Sequence, residues 1–249
     1  MANSAAPRHT AIVRTTHWIA TLCFFALLLS GIEVLISHPR FYWGEDGNAL
    51  MKPLFTLPIP ASRATVPTAY DYVLPDQNGW SRSLHFEAAW AVVLTGLFYV
   101  FAGFIGGHFR KNLVPAPADL SGSALSESFA RHLRFRRPGE TEAASYNVLQ
   151  RFAYLAVVFV LFPATVWTGL AMSPAIASIA PSLVTFLGGQ QSARTIHFLC
   201  TILLILFVLV HIGMVWLSGF GNSMRAMITG HAAEQRAVTP PAVTPREQP

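Results

Sequence analysis

Four long apolar runs, separated by polar or proline-rich stretches, dominate the pattern of the chain: from about Ile12 to Ile36, Ala88 to Phe109, Phe152 to Met172 and Thr195 to Phe220. Each can cross a hydrocarbon core of about 30 Å at about 1.5 Å of rise per residue. Each is expected to be a helix, because backbone groups in lipid have no water to bond and the runs lack the two-residue alternation of barrel strands. The first run is too long for the apolar region of a signal peptide, and no small-x-small cleavage pattern follows it before Ser37-His38-Pro39-Arg40. Pro163 is expected to kink the third helix. The expected fold is all-α, a membrane four-helix bundle over residues 1–225, with a disordered Pro/Ala/Thr-rich tail over 226–249.

Composition agrees: 53% of residues are hydrophobic and 12% charged, against roughly 25% charged in soluble domains. An ordinary soluble enzyme is excluded. The net charge of +5 is accounted for by topology, not by a nucleic-acid partner. Twelve of the 17 Lys and Arg lie before or at the start of the first helix, between Arg110 and Arg151, or after Phe220. The remaining five lie in residues 38–83 and 173–194. The positive-inside rule then places both termini and the central loop in the cytoplasm. The central cluster Arg131, His132, Arg134, Arg136 and Arg137 fits anionic lipid headgroups. The 38–83 loop, with Tyr42, Trp43, Tyr70, Tyr72 and Trp80, reads either as a partner-docking cap or as an interfacial aromatic belt. Cys23 and Cys200 lie inside apolar runs and form no metal or haem-attachment motif.

Ionisable groups inside a membrane are costly and mark function. Four of the nine histidines, His17, His85, His197 and His211, lie within or at the ends of the runs. His197 and His211 are 14 residues apart, close to four helical turns, so they share a face about 21 Å apart along the axis. With the expected topology, His85 and His197 form an outer pair and His17 and His211 an inner pair. His108 competes for the inner pair, but its Gly-Gly-His-Phe-Arg-Lys context reads as a membrane exit. Two separated pairs suit iron porphyrins better than zinc, which takes four ligands around one point. Arg14, Arg82 and Arg194 each precede a histidine by three residues. One turn nearer the headgroups, they suit haem propionates as well as they suit snorkelling. Gly31 lies on the ligand face at the depth of the outer pair, leaving room for a flat macrocycle; Gly96 and Gly103 read as packing positions.

Arg14-Thr-Thr-His17-Trp18, Leu84-His85, Tyr146-Asn147-Val-Leu-Gln150-Arg151 and the His197–His211 spacing give the chain its resemblance to a known family. From about Ile12 to Phe220 it resembles the bacterial di-haem cytochromes b, which include cytochrome b561 and the membrane subunits of formate dehydrogenase, nickel-iron hydrogenase and thiosulfate reductase. Tyr42-Trp43-Gly44 is similar to the thiosulfate-reductase-type subset. The resemblance implies two haems b, with His17 and His211 on the inner and His85 and His197 on the outer. It implies a quinone, menaquinone or ubiquinone, near the inner haem at Asn147 and Gln150, and an extracytoplasmic oxidoreductase partner of molybdopterin type. The chain would then be an electron-transfer subunit. Two other readings are a stand-alone quinone oxidoreductase acting on a small molecule such as superoxide, and a haem-free anchor or transporter whose histidines relay protons.

Overall fold

A computed structural model describes residues 9–231 except 38, 49, 60–77, 116–119, 124–125, 127–129 and 131–147. Among the described residues four helices are long and apolar enough to span a membrane: α1 (Ala11–Ser37), α2 (Asn78–Ile105), α3 (Val148–Ala171) and α6 (Gln190–Leu217). Two short helices, α4 (Pro174–Ile179) and α5 (Ser182–Thr185), join α3 to α6, and α7 (Phe220–Thr229) follows α6. The protein is a mostly helical membrane bundle, as the apolar runs predict.

The boundary that moves most is the start of α2, which begins at Asn78, ten residues before the apolar run at Ala88. The added turns carry Ser81 and His85, which point into the bundle, so inward-facing polar residues broke the apolar pattern without breaking the helix. α7 also extends past the expected boundary at residue 225. The tail from 232 onward, the basic cluster of the central loop, Tyr70, Tyr72 and His38 lie outside the described residues.

The spans are polar or small inside and apolar outside. Thr16, Ser30, Ser81, Thr168, Ser192 and Thr195 are buried, whereas Leu22, Leu97, Phe101 and Leu209 are exposed on the helix surfaces. This is the inverse of a soluble core and follows from lipid as solvent: small side chains let helices approach, and large apolar ones face acyl chains. Thr16, Ser30 and Thr168 donate to carbonyls one turn back. α1 packs along α2, and α3 along α6.

α3 contains a π-helical turn at Val157–Leu161, immediately before Pro163. Proline has no N–H and its ring clashes with the carbonyl four residues back, and a wider turn absorbs both. The expected kink thus takes the form of a π turn. Gly103 lies under the Phe109 ring, where a Cβ would stand 2.5 Å from the nearest ring atom, and Gly96 faces Phe162 at 3.0 Å. Both glycines are packing positions.

On the face away from the chain ends, β1 (Arg40–Phe41) pairs antiparallel with β2 (Phe55–Thr56). This ribbon caps α6. The Gln191 and Ser192 N–H groups donate to the Gly44 carbonyl at 3.0 and 3.2 Å, and the Gln190 N–H to the Glu45 carboxylate at 3.1 Å. With the Gly189 N–H donating to the Val184 carbonyl at 3.1 Å, all four orphan donors at this helix start are satisfied, one of them by an anion at the positive end of the helix dipole. Thr195 donates to the Tyr42 carbonyl at 2.7 Å, and Phe41 stacks on Phe55 and packs tilted against Phe198, 4.6 Å from each. Tyr42 and Gly44 are therefore structural, while Trp43 is exposed. This face is called the ribbon face below, and the opposite one the terminal face.

Candidate haem-binding site

His85 lies seven residues beyond Asn78, the start of α2, and His197 seven beyond Gln190, the start of α6, so the two sit at equal depth below the ribbon face. Their ring centroids are 6.4 Å apart, with planes at 63°. His17 lies six residues after Ala11, and His211 six before Leu217, at equal depth above the terminal face. Their centroids are 6.3 Å apart and the planes cross at 51°. Two imidazoles on opposite sides of one iron would have centroids about 6 Å apart, given metal–nitrogen bonds of about 2 Å and a nitrogen about 1 Å from its ring centre. Both pairs fit that span. Among the described residues no cluster of three or more His, Cys, Asp or Glu could hold a metal ion, so the donor set is two nitrogens per centre.

The two ribbon-side imidazoles are oriented by matching devices. His85 Nδ1 lies 3.0 Å from Ser30 Oγ and hydrogen-bonds the Leu27 backbone; His197 Nδ1 lies 3.0 Å from Thr168 Oγ1 and 3.0 Å from the Thr165 carbonyl. A carbonyl only accepts, so His197 carries its proton on Nδ1 and leaves the Nε2 lone pair for a metal. For His85 the same tautomer follows from the hydroxyl, because Ser30 gives its one proton to the Ala26 carbonyl at 2.7 Å and is left to accept. Glycines follow both hydroxyls: a Cβ on Gly31 would meet His85 Cε1 at 3.5 Å, and one on Gly169 would meet His197 Cε1 at 3.5 Å. Leu27, Ser30 and Gly31 on α1 thus repeat as Thr165, Thr168 and Gly169 on α3. The missing Cβ atoms leave space beside each ring, as a planar macrocycle requires.

The matching regions are the whole length of the bundle, since the family model for prokaryotic cytochrome b561 matches residues 8–230. The chain belongs to the prokaryotic cytochrome b561 family. It is a multi-pass protein of the bacterial inner membrane and a membrane cytochrome b of electron transfer. It is also similar to a protein of Azospira oryzae named "Putative protein-methionine-sulfoxide reductase subunit YedZ1", at 28% identity over 228 residues, covering 90% of this chain and 96% of that one. No solved structure matches.

In this b561 protein the terminal-side pair is held differently. His211 stacks on Phe207 at 5.9 Å and meets the Tyr154 ring edge-on at 6.1 Å, while His17 meets Trp18 edge-on at 5.5 Å. His17 Nδ1 is buried without a hydrogen-bond partner among the described residues. His108 stands apart from this pair. Its Nδ1 is 3.0 Å from Asn112 Nδ2 and its ring packs on Tyr99, and burial holds its imidazole below the ordinary value. His108→Ala should leave haem content unchanged by pyridine-haemochrome assay, and loss of haem would return it to the ligand set.

The three arginines diverge. Arg194 donates to the Arg40 carbonyl at 3.0 Å and lies over the Phe41 ring at 4.9 Å, fastening the ribbon. Arg14 donates to the Ile228 carbonyl, and Trp18 to that of Met227 at 3.2 Å. Together they satisfy carbonyls left open at the C-terminus of α7. Arg82 is exposed. Gln150 is half-buried in the first turn of α3, one turn from Tyr154, and Asn147 lies outside the described residues. Sequence reasoning missed Ser30, Thr168, Gly169 and Tyr154. The available signal was a hydroxyl followed by glycine, Ser30-Gly31 and Thr168-Gly169, in two otherwise apolar helices.

Proposed function

We propose that this chain binds two haems b, one between His85 and His197 and one between His17 and His211, and carries electrons across the membrane between an oxidoreductase on the ribbon face and quinone at the terminal face. The observation that carries this reading is the pair of matched imidazole separations, 6.4 and 6.3 Å, at two depths of one bundle. Bound haem would supply a reversible ferric/ferrous couple. The chain's own groups hold it: four imidazoles as ligands, with the exposed Arg82 one turn outside His85 as a cation for propionates. About 21 Å of helix separates the two depths, so the pairs form two steps of a path across the core.

The distribution of Lys and Arg supports a cytoplasmic terminal face. The ribbon then faces outward. The printed name of the Azospira relative, a reductase subunit, supports a catalytic partner there; the molybdopterin type rests on the family resemblance. Quinone, menaquinone or ubiquinone, is assigned to the terminal side, where Gln150 stands one turn from the Tyr154 that packs on His211, with Asn147 just before α3. Carbonyl oxygens of a quinone need donors of this kind, and losing one such bond costs on the order of tenfold in rate. Gln150→Leu and Asn147→Leu should keep both haem spectra while slowing haem reduction by added quinol about tenfold. Unchanged stopped-flow rates in both variants would move the quinone to the ribbon face.

A further inference from the structure

The two ribbon-side imidazoles share a hydrogen-bonding device at Nδ1 that His17 lacks among the described residues. On the ribbon side both Nδ1–H groups donate to oxygen: His85 to Ser30 Oγ at 3.0 Å, and His197 to Thr168 Oγ1 and the Thr165 carbonyl, each at 3.0 Å. Ser30 and Thr168 are 0% and 1% exposed, and each hydroxyl spends its own proton on an α-helical carbonyl, Ala26 at 2.7 Å and Ala164 at 2.8 Å. Both oxygens are thereby fixed as acceptors, in a medium with no water to compete. On the terminal side His17 Nδ1 is buried with no hydrogen-bond partner among the described residues, and His211 packs against the Phe207 and Tyr154 rings. A hydrogen bond from Nδ1–H raises the basicity of the ligating Nε2, and a more basic ligand favours the ferric state.

We propose that Ser30 and Thr168 are positioning residues that lower the reduction potential of the ribbon-side haem, making it the lower-potential centre of the two. In this role they act through His85 and His197, whose Nδ1 atoms they meet. The matching spacing on α1 and α3 makes the two contributions equivalent. The ribbon face is then the low-potential end of the path.

The inference rests on the two-haem reading, and the experiment separates the two. Detergent-purified full-length protein and the variants Ser30→Ala, Thr168→Val and Thr21→Ala are compared by haem content and by optical redox titration. Thr21 serves as control, since its hydroxyl bonds the His17 backbone carbonyl, not an imidazole. The wild type should titrate in two one-electron waves, and His85→Leu should abolish the lower one. Ser30→Ala and Thr168→Val should each keep both haems and raise only the lower wave, by about a tenfold change in the ferric/ferrous ratio, or about 59 mV for one electron. Thr168→Ser, which keeps the hydroxyl, should titrate as wild type, and Thr21→Ala should shift neither wave. The proposal is overturned if the lower wave stays put in both hydroxyl variants, if the upper wave moves instead, if His85→Leu removes the upper wave, or if the variants lose haem and so reveal a purely structural role. A wild-type protein with one haem per chain would sink the two-haem reading itself, an outcome distinct from all of these.

Discussion

His197→Leu should yield a folded protein that holds about one haem where the wild type holds about two, because a bis-histidine centre that loses one ligand keeps the iron by a single protein bond. Leucine fills a similar volume and offers no lone pair, so the loss follows from coordination, not from a cavity. His197 is firmly oriented, since its Nδ1 meets both a hydroxyl and a carbonyl, at 3.0 Å each, and its removal also leaves the Thr168 and Thr165 oxygens without that donor. His85→Leu should give the same one-haem product, and His17→Leu or His211→Leu the complementary one. Circular dichroism should show the helical content unchanged. If His197→Leu and His85→Leu retained the full complement, the ribbon-side pair would not be a centre.

The second large effect is expected at Gly189, which begins α6 with φ of +114°. A Cβ there would fall onto the backbone carbonyl group of Gly44, which accepts the Gln191 and Ser192 N–H groups and cannot retreat without releasing them. Gly189→Ala therefore combines a backbone conformation that costs a side-chain-bearing residue about 1–3 kcal/mol with the loss of helix-capping bonds worth about 1 kcal/mol each. Gly44→Ala makes an informative contrast: φ is +109°, yet nothing lies within 4 Å of its Cβ position. It should carry only the conformational cost. Gly189→Ala should lower the thermal stability clearly more than Gly44→Ala, with protease cleavage of the ribbon appearing in the first. Equal effects would mean that the close approach of ribbon and helix is not rigid.

Much of this was legible in the chain, and the reasons for the rest are physical. The four helices were readable because lipid demands unbroken apolar length, and the two pairs of facing histidines because ionisable groups in such runs are conspicuous. The start of α2 was not, because Asn78 to Glu87 is polar in sequence yet helical, with Ser81 and His85 turned inward. Ser30 and Thr168 look like ordinary helix hydroxyls until the imidazoles opposite them are known, and no spacing within one helix reveals a partner on another. The arginine triplet shows the converse. One spacing repeated three times suggested one role, but Arg194 fastens the ribbon and Arg14 the end of α7. Regular spacing fixes the depth of a residue and leaves its partner open.

The central claim is that each of the two imidazole pairs is the axial ligand set of one haem. The most direct test is the amount of haem b per chain in detergent-purified protein, by pyridine haemochrome against quantitative amino-acid analysis. The account predicts about two. One haem per chain would contradict it by leaving one of the pairs at 6.3 or 6.4 Å without a centre, and none would remove its basis.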